Sequence, residues 1–193
     1  MRGVLKAFVV TAAIALVAAP TQARAQGFVV PWAGVNWGSN IGDGRGAFGV
    51  NAGYMGAGII GGELDFGYSP SFFGTKNDFG NNTVIDLMGN LIIGVPIGGT
   101  YGKTLKPYVT GGVGLLRTQI DGGTLANVSS SNNQFGWNAG GGIMGTFNNH
   151  VGLRGDIRYL RGFEDLSTGN TVIDLNGNNQ LKFWRLSAGV VLK

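Results

Sequence analysis

Ile60-Gly61-Gly62-Glu63-Leu64-Asp65-Phe66-Gly67-Tyr68 is the stretch on which the reading of this chain turns. Successive side chains of an extended strand point to opposite faces, so Ile60, Leu64, Phe66 and Tyr68 share one face while Glu63 and Asp65 share the other. A water-soluble sheet buries its apolar face and solvates its charges. A strand between lipid and the lumen of a barrel does the reverse, with apolar residues outside and charges inside. Counting from Val29 onward, eight stretches alternate in this way, and the gaps between them are alternately long and short. That pattern predicts an all-β fold, an eight-stranded antiparallel up-and-down transmembrane β-barrel.

The first 25 residues stand apart. Arg2 and Lys6 precede an apolar run, Ala7 to Ala19, followed by Pro20 and by Ala23-Arg24-Ala25. This is the form of a secretory signal peptide with an A-x-A cleavage site, and the run is short of the roughly 20 residues a membrane-crossing helix needs. Residues 1–25 are therefore expected to be cleaved and residues 26–193 to form the barrel domain. The leader also explains the charge. The chain has 14 Lys+Arg against 10 Asp+Glu, and losing Arg2, Lys6 and Arg24 brings the 14 down to 11. A nearly neutral mature chain with no Lys/Arg cluster argues against a nucleic-acid partner. The absence of cysteine suits an exported protein that needs no disulfide.

The expected strands run from about Val29 to Trp37, Ala47 to Tyr54, Ile59 to Tyr68, Thr83 to Val95, Lys106 to Leu116, Gln134 to Thr146, Val151 to Arg161 and Leu181 to Leu192. Long loops are expected at Gly38–Arg45, Ser69–Asn82, Thr118–Asn133 and Gly162–Gln180. Short turns are expected at Met55–Gly58, Ile97–Thr104 and Asn148-Asn149. An even strand number puts both termini on the periplasmic side and the four long loops outside the cell. The aromatic residues suit this direction. Trp37, Phe48, Phe66, Tyr68, Phe135, Trp137, Tyr159 and Trp184 fall at the outer ends of their strands, and Tyr54 and Phe147 at the inner ends. They predict two interfacial girdles.

A Lys or Arg facing lipid at mid-bilayer costs about 2–4 kcal/mol, so the mid-strand charges are expected in the lumen. By parity these are Glu63, Asp65, Asp86 and Asp156 against Lys106, Arg154, Arg158 and Arg185, four of each sign. Eight strands leave an interior just wide enough for side chains to fill, which predicts a plug of ion pairs and hydrogen bonds. The competing expectation is a narrow porin-like channel for small solutes.

Three segments resemble a known family, the small eight-stranded outer-membrane barrels of the OmpA transmembrane domain, OmpX and Ail kind. They are Lys106-Pro107-Tyr108-Val109-Thr110-Gly111-Gly112-Val113-Gly114, Phe135-Gly136-Trp137-Asn138-Ala139-Gly140-Gly141-Gly142 and Val151-Gly152-Leu153-Arg154-Gly155-Asp156-Ile157-Arg158-Tyr159. The resemblance implies a monomeric integral protein of the cell outer membrane in a Gram-negative envelope. It implies Arg154, Asp156 and Arg158 as lumen residues, no cofactor, and contact with outer-membrane lipid, lipopolysaccharide and the outer-membrane assembly machinery. Two departures accompany it. The chain ends Val191-Leu192-Lys193 where members usually end in an aromatic residue, and it ends with the barrel, so wall anchoring is not expected.

Catalysis has few parts to draw on. The only histidine, His150, falls in a short turn, and there is no cysteine, so neither a Ser/His pair nor a metal site is expected. Glu164 and Asp165 are read as solvated loop residues. Gly42-Asp43-Gly44-Arg45-Gly46 and Gly111-Gly112-Val113-Gly114 lack the Gly-Lys-Ser/Thr ending of a phosphate loop. Thr-Val-Ile-Asp-Leu occurs at 83–87 and again at 171–175, and the second copy, followed by Asn176-Gly177, predicts a protruding hairpin. The functional expectation is a non-enzymatic envelope protein with a structural or surface-interaction role, acting through its external loops.

Overall fold

The computed structural model describes residues 26–38, 41–72, 81–98, 103–121, 129–165, 167–168, 171–172 and 180–193. Residues 1–25, including the expected signal peptide, lie outside the described residues. The strands are β1 (Gln26–Gly38), β2 (Ile41–Gly56), β3 (Ile60–Pro70), β4 (Asn81–Gly94), β5 (Thr104–Asp121), β6 (Ser129–Thr146), β7 (Val151–Asp165), β8 (Ser167–Thr168), β9 (Thr171–Val172) and β10 (Gln180–Leu192). β1 to β7 and β10 form one closed antiparallel barrel, in which each strand pairs with its neighbours in sequence and β1 pairs with β10 from Val29↔Leu192 to Trp37↔Trp184. Closure leaves no strand edge, and in hydrocarbon every backbone N–H and C=O must find its partner within the protein.

The alternation read from the sequence sets which face looks inward. Along β3, Leu64 and Phe66 are 47% and 41% exposed while Glu63 and Asp65 are 3% and 2% exposed. The same outward apolar set continues around the wall through Val50, Leu87, Leu91, Val109, Val113, Ile157 and Leu186.

Both ends of the barrel differ in detail from the sequence reading. At the end where the long loops were expected, the strands run further. Gly38 pairs with Ile41, so the expected Gly38–Arg45 loop is strand at every described residue. β5 and β6 stay paired out to Asp121↔Ser129, which takes most of the expected Thr118–Asn133 loop. The reason is that ladder hydrogen bonds use only backbone groups. Beyond the bilayer an outward face has no need to be apolar, so Ser, Asn and Gln residues extend a strand there. Glu164 and Asp165 likewise lie within β7, with Asp165 paired to Gln180, rather than in a loop. The hairpin expected on 171–175 with its turn at Asn176-Gly177 is not what the described residues show, since Thr171 and Val172 pair backward with β8. Ser167↔Val172 and Thr168↔Thr171 pair in the β8–β9 ladder, while Asn176-Gly177 lies outside the described residues.

At the other end the β2–β3 and β6–β7 connections are tight turns. Ile59 N donates to Gly56 O at 3.0 Å, and Ala57 and Gly58 have φ of 49° and 69°. Two consecutive positive φ values inside an i to i+3 bond make a type I′ turn, the type whose twist matches that of paired strands. Alanine at its first central position is strained, at about 1–2 kcal/mol, and glycine there loses about 0.5–1 kcal/mol of that in chain entropy. Ala57→Gly is therefore expected to raise the urea midpoint by an amount corresponding to roughly 0.5–1 kcal/mol. Between β6 and β7, Asn148 Oδ1 accepts from His150 N at 2.9 Å and Val151 N at 2.8 Å, and His150 is exposed in that turn.

Candidate functional site in the barrel lumen

Inward positions of β3 and β4 on one side of the barrel face those of β7 and β10 on the other, so the opposite charges meet across the lumen. Arg158 is opposite Arg185, and Asp156 is opposite Ser187. Arg158 is the hub. It donates from Nη2 to Glu63 Oε1 at 2.8 Å, from Nη1 to Asp65 Oδ2 at 3.0 Å, and from Nε and Nη2 to Asp156 at 3.3 and 3.1 Å. Arg154 pairs with Glu63, stands 3.0 Å from Asp156 and donates from Nε to the Tyr108 hydroxyl at 2.6 Å. That hydroxyl donates to Asp156 Oδ2 at 2.8 Å, and Ser187 Oγ donates to Asp156 Oδ1 at 3.0 Å. Arg185 holds both oxygens of Asp86, donates from Nε to Asn36 Oδ1 at 3.0 Å, and lies over the Trp32 ring at 4.8 Å. A planar guanidinium with five donors suits such shared, multidentate contacts.

Seven of the eight charges assigned to the lumen by parity thus meet in one layer. Lys106 does not. It is buried, but its Nζ stands 3.9 Å from Met55 Sδ with no carboxylate partner among the described residues. The balance of four to four read from the sequence becomes four carboxylates against three guanidinium groups. Lys106 lies on β5 beside Met144, at the turn end of the lumen, away from the acidic positions of β3 and β4.

The interior is also less uniformly polar than the sequence reading implied. On the loop side of the charged layer, Ile41, Phe72, Val84, Met88, Leu116, Leu160, Leu181 and Phe183 form a buried apolar cluster. On the turn side a second cluster contains Phe28, Val30, Met55, Ile92, Tyr108, Met144 and Val191. The charged layer therefore has a buried apolar cluster on either side, with inward polar residues such as Gln134 and Thr110 at the same levels. Sequence reasoning left out Asn36, Tyr108, Ser187, Asn90, Asn138 and Trp32, all of which border the charged layer, although their inward parity marked them. Asn138 Nδ2 donates to Asn90 Oδ1 at 2.7 Å.

Glycine makes room for this packing. A Cβ at Gly67 would stand 2.4 Å from Asp86 Oδ1 and 2.7 Å from Arg185 Nη1. One at Gly142 would stand 2.6 Å from Asp156 Cβ and 2.7 Å from the Tyr108 hydroxyl. The glycine-rich β6 thus faces the bulkiest side chains of the lumen.

On the outer wall, Trp37 pairs with Trp184 and Trp184 with Tyr159, while the Tyr159 ring lies 5.7 Å from Trp137 and 5.1 Å from Trp184. Phe48 and Tyr68 touch at 5.2 Å on β2 and β3, with Phe66 outward beside them. Tyr54 and Phe147 stand toward the turn end, Phe147 exposed. Such aromatic belts mark the two interfaces of a membrane barrel.

A closed, eight-stranded, lipid-facing barrel with a filled lumen defines a small membrane barrel. The chain belongs to the family described as the outer membrane protein beta-barrel domain, matched over residues 9–193. Among solved structures it is similar to Neisserial surface protein A, with 20% identity and a TM-score of 0.64 over 88% of this chain and 98% of that one. It is also similar to Ail, the attachment invasion locus protein of Yersinia pestis, with 13% identity and a TM-score of 0.52 over 87% and 98% of the two chains. The outer membrane protein OprG from Pseudomonas aeruginosa shares 15% identity and a TM-score of 0.51 over 86% and 94%. No curated protein matches the chain. At these identities the likeness is one of fold.

Proposed function

We propose that this protein is exported by removal of residues 1–25, resides as a monomer in the outer membrane, and acts at the cell surface rather than as a channel or an enzyme. The observation that carries this reading is the filled lumen, in which ion pairs span the barrel and a buried apolar cluster lies on either side of them. Beyond Phe135 and Leu115, β5 and β6 run on for six further pairs to Asp121↔Ser129. At about 3.4 Å per residue this ribbon rises roughly 20 Å along its strands past the aromatic belt. Polar ribbons held on a rigid barrel suit contact with other surfaces. Lipid, lipopolysaccharide and the assembly machinery are the partners this location brings.

Fractionation and electrophoresis test the location. The protein is expected in outer-membrane fractions, with a mobility that shifts on heating because a closed barrel resists detergent until boiled. A soluble fraction without a heat shift would overturn the reading. A second reading, a narrow channel, draws support from buried polar atoms without partners among the described residues, including Asp65 Oδ1, Asn51 Oδ1 and the Gln134 amide. Planar-bilayer recording of the refolded protein decides between them, and no discrete conductance steps are expected.

A further inference from the structure

Lys106 is the one inward charge that the charged layer does not absorb. It is 4% exposed, and its Nζ, with three protons to donate, meets only the weak acceptor Met55 Sδ, at 3.9 Å, among the described residues. The stem is held on its course. A Cβ at Gly94 would stand 3.1 Å from Lys106 Cγ and 3.3 Å from Met55 Cε, so glycine at that inward position of β4 lets the stem pass from β5 to Met55 on β2.

A second ammonium group reaches the same place from the other direction around the barrel. Met55 is opposite Gln26 in the β1–β2 ladder, and Gln26 Oε1 accepts from Lys193 Nζ at 3.2 Å. Lys193 follows the inward Val191 by two residues, and its backbone N donates to His150 O at 2.9 Å, which fixes it at the rim of the turn end. Acid is missing from this end of the chain. Residues 53–62, 94–106 and 142–153 hold no Asp or Glu, while Lys103 adds an exposed cation in the β4–β5 connection. Glu63, the first carboxylate met along β3 from this end, is already shared by Arg154 and Arg158. Among the described residues no carboxylate stands within ion-pair distance of Lys106 or Lys193.

We propose that Lys106 and Lys193 form an anion site at the turn-end mouth of the lumen, and that a phosphate group, of free phosphate or of a lipid headgroup, supplies the countercharge. A buried ammonium group without a partner is costly, and each of the three guanidinium groups deeper in the same lumen has a carboxylate. Phosphate suits the pair because its oxygens point in several directions and accept charge-assisted hydrogen bonds from two ammonium groups at once. Lysine serves here as a compact point charge on a flexible stem, where a planar guanidinium would select a bidentate partner. The site lies at the opposite end from the β5–β6 ribbon and does not depend on the surface role proposed above.

The test follows the side-chain Nζ signals of the isotope-labelled, refolded mature chain by NMR in a phosphate-free detergent. Inorganic phosphate is expected to shift the Lys106 and Lys193 signals along a saturable curve, further than sodium chloride of equal ionic strength does. Lys106→Met keeps the length of the stem and suits its neighbours Met55 and Met144, so the heat shift on electrophoresis is expected to remain. Phosphate binding in that variant, read at Lys193, is expected to be about tenfold or more weaker, the loss that follows from one charge-assisted contact. Lys193→Gln, read at Lys106, is expected to weaken binding in the same sense and carries the test where Lys106→Met does not fold. In galactolipid bilayers, a shift of Lys106 on adding phosphatidylglycerol identifies a headgroup as the source, and a shift only on adding inorganic phosphate identifies the free anion. A response no larger than that to chloride, or unchanged phosphate affinity in either folded variant, overturns the site.

Discussion

Leu64→Arg is expected to destabilise the barrel in lipid by about 2–4 kcal/mol, whereas Val95→Arg costs about 0–1 kcal/mol. Both residues are outward and exposed. Their depth differs, since Leu64 lies midway along β3 between Ile60 and Tyr68, while Val95 lies just past the end of β4. The cross-strand partners of Leu64, Ala52 and Gly89, are too small to shield a guanidinium from lipid. One residue earlier the chain carries a charge, Glu63, at no such penalty, because that side chain faces Arg154 and Arg158. The contrast between 63 and 64 is the period-2 argument expressed as an energy. Urea unfolding in vesicles measures it, and equal losses at Leu64 and Val95 would mean that the bilayer does not sit where the aromatic belts place it.

The fold was legible because lipid imposes a strong local rule. Each strand between the belts has to keep charges off one face, so Glu63, Leu64 and Asp65 carry the information by themselves, without knowledge of what they pair with. Beyond the belts the rule lapses. Water tolerates either parity, and Gly38, Arg45, Ser129 and Asn133 read as loop although they pair as strand. The lumen was legible only as a direction. Parity sends Lys106 inward along with Arg154, yet whether a cation meets a carboxylate depends on register around the whole barrel. Arg158 is 93 residues from Asp65 in sequence, and no local pattern encodes that meeting. The apolar clusters were hidden for a similar reason. Phe72 lies just past β3, Leu116, Leu160 and Phe183 come from β5, β7 and β10, and they form a layer only once the barrel closes.

Arg158→Ala is expected to lower unfolding stability by about 3–5 kcal/mol, the range for breaking a fully buried ion pair by removing one partner. The damage falls unevenly. Glu63 and Asp156 keep Arg154, but Asp65 loses its hydrogen bond to Nη1, its Oδ1 has no partner among the described residues, and Arg185 stands 4.0 Å from its other oxygen. A stranded carboxylate in the lumen is therefore the main source of the loss, and adding Asp65→Asn should return a large part of it. Coupling between two contacting residues is about 0.5–3 kcal/mol, large enough to read in a double-mutant cycle from urea midpoints. Conductance should stay closed in both variants. Removing one guanidinium opens space inside the charged layer, but an ion must still cross the cluster around Phe72 and Phe183 and the cluster around Met55 and Met144. An ion taken from water into an apolar layer without a partner faces a barrier of several kcal/mol or more. Discrete openings in Arg158→Ala would show that the ion pairs, and not the apolar layers, hold the lumen shut. Additive losses in the double variant would show that Arg158 does not act chiefly through Asp65.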